Sequence, residues 1–99
     1  MEKPVRKGPV EILEQKFTIN NSLGLHARPA ALLVQMVNKF QSEVTIQKGK
    51  LKVNGKSIMG VMMLAAAQGS AVTVRITGAD ARRAMMAISK LFQSNFNES

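Results

Sequence analysis

The feature that most limits the fold is a change of hydrophobic period between Ile19 and Ala30. Before it, Leu13, Phe17 and Ile19 alternate with Glu14, Lys16 and Thr18, the pattern of a strand over 11–20 with one face buried. After it, Ala30, Leu33, Val34 and Val37 keep the i, i+3, i+4, i+7 spacing of a helix face. Pro29 stands at the change, and proline is favoured where a helix starts because its missing N–H would have had no partner there. A strand must hand over to a helix within Asn21-Ser22-Leu23-Gly24-Leu25-His26-Ala27-Arg28-Pro29-Ala30-Ala31.

The same two periods order the rest of the chain. The first helix is expected over 27–39, with Ala31 and Gln35 on a different face from its core stripe. Val44 and Ile46 point inward from a strand over 43–48, and 51–53 repeats the pattern after Lys48-Gly49-Lys50, which makes a hairpin. Asn54-Gly55 is a further turn, and Ser57 then takes the N-cap position before the apolar run 58–65, a short helix that Gly69 closes. Val72, Val74 and Ile76 define a strand over 71–77, ended by Gly78. Asp80 is expected to cap a last helix over 81–93, with Ala81, Ala84, Met85, Ile88 and Phe92 inward. The order βαββαβα implies an α+β open-faced sandwich, a four-stranded antiparallel sheet covered on one face by three helices. Residues 1–10, basic and interrupted by Pro4, Gly8 and Pro9, read as a flexible tail ahead of a single domain over 11–99.

Composition excludes several kinds of chemistry. With no cysteine there is no disulfide, thiolate metal site or cysteine nucleophile, and one histidine with six scattered acids does not make a zinc site. No metal and no cofactor is expected. The N-terminus lacks the apolar run of a signal peptide, and the longest apolar stretch, 58–67, is too short to span a bilayer. The expectation is a cytoplasmic protein without membrane insertion. The net charge of +8 fits either a nucleic acid or an acidic protein partner. Four phenylalanines without Tyr or Trp offer little base stacking, and the basic residues are spread rather than run together.

Chemistry concentrates at the helix start. Open N–H groups and the positive end of the helix dipole make an anion site there. A neutral imidazole is a nucleophile, and a phosphoryl group placed on His26 would meet those N–H groups and Arg28. The same residues also fit an exposed histidine near a helix start beside an ordinary surface charge. Ala27 and Ala31 are small, which suits either helix propensity or room for a docking partner. Ile58, Met59, Met62 and Met63 cannot all face inward on so short a helix. About half should fill the core, and the rest should form a methionine-rich patch.

Gly24-Leu25-His26-Ala27-Arg28-Pro29-Ala30 resembles the phosphorylation signature of the HPr family, the histidine phosphocarriers of the bacterial phosphoenolpyruvate-dependent phosphotransferase system. Lys56-Ser57-Ile58-Met59-Gly60-Val61-Met62 resembles the family's second signature, around its regulatory serine, at the family's separation and in the same element order. The resemblance covers about residues 12–95, nearly the whole chain. Asn21-Ser22-Leu23-Gly24 and Leu91-Phe92-Gln93-Ser94-Asn95-Phe96 look more like the nitrogen-related NPr branch than the sugar branch.

The resemblance implies that His26 takes a phosphoryl group on Nδ1 from enzyme I, phosphoenolpyruvate being the original donor, and passes it to an EIIA-type protein. Arg28 would neutralise the phosphate and Pro29 would shape the helix start. Ser57 would either be an N-cap only or also be phosphorylated by an HPr kinase/phosphorylase, adding negative charge beside His26. Ala27, Ala31, Ile58, Met59, Met62 and Met63 would belong to the partner surface. The implied protein is a monomeric covalent carrier rather than a stand-alone enzyme, acting in sugar uptake or in nitrogen and carbon regulation. The alternative is a regulatory docking protein whose binding depends on its phosphorylation state. Nucleic acid is not expected as a partner.

Overall fold

The structure, a computed structural model, describes residues 10–98. In chain order it contains β1 (Glu11–Thr18), α1 (Ala27–Val37), β2 (Glu43–Lys48), β3 (Leu51–Asn54), α2 (Ile58–Met63), β4 (Ala71–Gly78) and α3 (Ala81–Gln93), followed by a short turn, Asn95–Asn97. The expected tail lies, apart from Val10, outside the described residues.

The strands form one antiparallel sheet in the order β1-β4-β2-β3. Register carries the alternation across all of it. Leu13 and Val44 flank Ile76, Ile46 stands between Val74 and Val53, and Phe17 faces Val72. A strand's side-chain period is two, so this pairing puts every apolar row on one face, and the helices cover that face. α3 lies over β1 and β4, α2 lies beside β3, and α1 packs on both α2 and α3. The α+β open-faced sandwich expected from the periods is the observed fold.

Element ends follow side-chain hydrogen bonds that periodicity does not report. α1 stops at Val37, short of 39. There the Asn38 amide donates to Val34 O (2.9 Å) and Lys56 O (3.2 Å), a local alternative to the next helical turn. Lys56 Nζ donates to Phe40 O (2.8 Å) and Lys48 Nζ to Leu64 O (3.2 Å), so two of the basic residues serve carbonyls just beyond helix ends. α2 stops at Met63 rather than running toward Gly69, because Ala65 turns left-handed at φ 47°.

Asp80 stands at the N-cap of α3 but does not cap it. Its carboxylate accepts instead from the N–H groups of Gln41 (2.9 Å) and Ser42 (3.0 Å) and from the Ser42 hydroxyl, fastening the loop between α1 and β2. Burial raises the pKa of this carboxyl, and those donors outweigh burial and hold it below its ordinary value of 3.8.

The turn after α3 is also held by packing. Phe96 is buried, edge-on to Phe92 with centroids 4.9 Å apart, and Phe92 stacks on Phe17 at 4.3 Å. Asn95, Phe96 and Asn97 are all left-handed, with φ 52°, 58° and 60°. Asparagine tolerates that region, whereas Phe96 pays about 1–2 kcal/mol. Burying its ring returns about 2–3 kcal/mol, so the turn is favourable.

Candidate functional site

His26 is the N-cap of α1, in extended backbone at φ −79° and ψ −171°. The first intrahelical bond is Ala30 N to His26 O (3.0 Å). The N–H groups of Ala27 and Arg28 therefore precede the helical ladder, and His26 gives no side-chain cap to them. Pro29 is the third helical residue, still within the turn where an N–H has no helical partner to lose. Its ring is buried, which ties the helix start to the core.

The loop before His26 is fixed from two sides. Leu25 N donates to Ala66 O (2.8 Å), which brings the segment after α2 against the histidine loop. Gly24 sits between them at φ 69°, and a Cβ there would lie 2.9 Å from Ala67 Cα. Glycine is required at this position by both conformation and space.

The His26 side chain is 34% exposed, and Arg28 and Ala27 are exposed beside it. The Arg28 guanidinium has no ion-pair partner among the described residues. His26 Nε2 lies 3.3 Å from an Oε2 oxygen of Glu98. The other Glu98 oxygen accepts from Asn21 Nδ2 (2.7 Å), which also donates to Asn95 O (2.9 Å). Asn21 is buried, and its Oδ1 has no hydrogen-bond partner among the described residues.

Neither Asn21 nor Glu98 stood out in the sequence as a site residue. Glu98 joins Asn21 from 77 positions away, a separation that no local spacing encodes.

Ser57 Oγ accepts from Gly60 N (3.1 Å), so the N-cap expected of it is present. Its place relative to His26 corrects an expectation. Asn38, at the far end of α1, bonds the carbonyl of Lys56, while the segment after α2 bonds Leu25. The two helices are thus antiparallel, with His26 and Ser57 at opposite ends. They lie at the two ends of the packed helix pair rather than side by side.

The α2 side chains correct another expectation. Ile58, Met59, Met62 and Met63 are all exposed, at 42%, 72%, 41% and 65%. Val61 and the residue after the helix, Leu64, fill the core instead. The result is a continuous apolar face, with Met62 and Met63 toward the His26 loop and Ile58 and Met59 toward Ser57. Ala31, on α1, is half-buried.

The family model described as "PTS HPr component phosphorylation site" matches residues 13–94. The phosphocarrier protein HPr of Xylella fastidiosa (strain Temecula1) is 54% identical over 87 residues, covering 88% of this chain and 98% of that protein. The crystal structure of HPr-C-His from Thermoanaerobacter tengcongensis is similar at a TM-score of 0.85 and 45% identity, covering 88% of this chain and 98% of that one. The crystal structure of an HPr dimer from the same organism is similar at a TM-score of 0.71 and 40% identity, covering 99% of this chain and 100% of that one.

Proposed function

The chain belongs to the HPr family of phosphocarriers of the bacterial phosphotransferase system, and on that premise we propose that His26 is its phosphoryl acceptor. The observation that carries the assignment is the uncapped start of α1. There a half-buried but accessible imidazole stands beside the N–H groups of Ala27 and Arg28 and the exposed Arg28. A phosphoryl group on Nδ1 accepts charge-assisted hydrogen bonds there that the free histidine does not use. Arg28 offsets its charge, and Pro29 keeps the helix start in place.

The donor is enzyme I charged from phosphoenolpyruvate, and the acceptor is an EIIA-type protein. Both dock on Ala27, Ala31 and the apolar face of Ile58, Met59, Met62 and Met63. Flexible thioethers on that face suit two partners of different shape. The protein works in the cytoplasm as a monomer, which leaves this face open to each partner in turn. Ser57 is a regulatory site for an HPr kinase/phosphorylase. A phosphate on it would stand at the far end of the docking face from His26 and weaken the binding of an acidic partner by repulsion.

The test is the intact mass after incubation with enzyme I, phosphoenolpyruvate and magnesium, before and after brief acid treatment. One phosphoryl group should be added and then lost in acid, and His26→Ala should gain none. A labelled His26→Ala protein would move the acceptor elsewhere.

A further inference from the structure

Glu98 stands where a carboxylate controls the chemistry of the opposite ring nitrogen. Its Oε2 is 3.3 Å from His26 Nε2, just outside the usual hydrogen-bonding range, and its side chain is only 21% exposed. Three features hold it there. The second oxygen accepts from the buried Asn21 amide at 2.7 Å. Its backbone N–H donates to Asn95 O at 3.0 Å, and the same Asn95 carbonyl takes the other Asn21 N–H bond. The turn itself is anchored by Phe96, buried against Phe92. A surface acid gathered by chance would not be bound at its other oxygen by a buried donor.

We infer that Glu98 is a positioning residue for phosphoryl transfer through His26, an inference that rests on the assignment of His26 as acceptor. A carboxylate at Nε2 selects the tautomer with the proton on Nε2 and leaves the Nδ1 lone pair for reaction. In acceptance, that pair attacks phosphorus, and the bond from phosphorus to enzyme I breaks with its electrons staying on enzyme I. The Nε2 proton does not move, so the ring becomes a phosphorylated imidazolium, and Glu98 offsets the positive charge as it forms. In onward transfer the nucleophile of the EIIA-type acceptor attacks phosphorus. The Nδ1–phosphorus bond breaks, its pair returns to the ring, and the ring is neutral again. Asn21 keeps the carboxylate from swinging toward Arg28 or solvent, so the charge is in place before reaction.

The test compares the full chain with Glu98→Ala and Glu98→Gln. Nitrogen-15 NMR of His26 reads the tautomer, and rapid-quench phosphorylation by charged enzyme I reads the rate. In the starting protein the neutral ring should carry its proton mainly on Nε2. Glu98→Ala should give a mixed tautomer signature and accept phosphate on the order of tenfold more slowly. Glu98→Gln, whose amide oxygen can accept a proton from Nε2, should keep the tautomer but only part of the rate, since it carries no charge. An unchanged tautomer and rate in Glu98→Ala overturns the inference while His26 remains the acceptor. Labelling of His26→Ala overturns the assignment of His26 itself. The melting curve of each variant separates either result from a loss of fold, and Glu98→Gln keeps the comparison if Glu98→Ala does not fold.

Discussion

At the scale of single residues, the candidate site was legible where its geometry is local. His26, Arg28, Pro29 and Ser57 lie within two short runs, at the starts of α1 and α2. Glu98 and Asn21 meet only because the turn after α3 folds back on the loop after β1. Two outcomes belong here. Gly24→Ala should destabilise by about 1–3 kcal/mol in urea, since alanine meets both a left-handed φ and the backbone at Ala66 and Ala67. Ser57→Ala should cost about 1 kcal/mol by the same measurement, through loss of its hydrogen bond to Gly60. A cost for Gly24→Ala well below about 1 kcal/mol would mean that Gly24 is not held as tightly as its surroundings imply.

Periodicity worked at the scale of elements because each strand and helix buries one face. All four strands and three helices were legible in it, and β2 and α3 even in their extent. What it missed were ends and contacts. Asn38 ends α1 with its own amide, and Asp80 serves a loop rather than its helix. The methionines of α2 misled for another reason. Apolar residues on a short helix read as core, yet these are solvent-facing, and only Val61 within α2 is buried. Replacing Met59 and Met63 with serine should therefore leave the melting temperature within about 2 °C, while weakening enzyme I binding several-fold by calorimetry. A large drop in melting temperature would return these side chains to the core.

For the whole molecule, pH acts through the loop that Asp80 fastens. Its carboxyl is held below its ordinary value of 3.8 in the fold, so the stability it adds is full above that value. That stability is lost as pH falls through the lower, folded value. Urea unfolding between about pH 6 and about pH 2 should show a smaller acid loss in Asp80→Asn than in the starting protein. Parallel curves would remove Asp80 as a contributor.

The unfinished start of α1 links this fold to its cargo. Its first N–H groups take no cap from the His26 side chain, so an anion bound covalently to His26 would complete the helix. The loaded and empty proteins then differ in thermodynamic stability as well as in mass. A gain of about 1 kcal/mol would raise the melting temperature by about 4–8 °C in a domain of this size. Heat resistance becomes a gauge of how much of the population is carrying phosphate, readable without isotopes or partners.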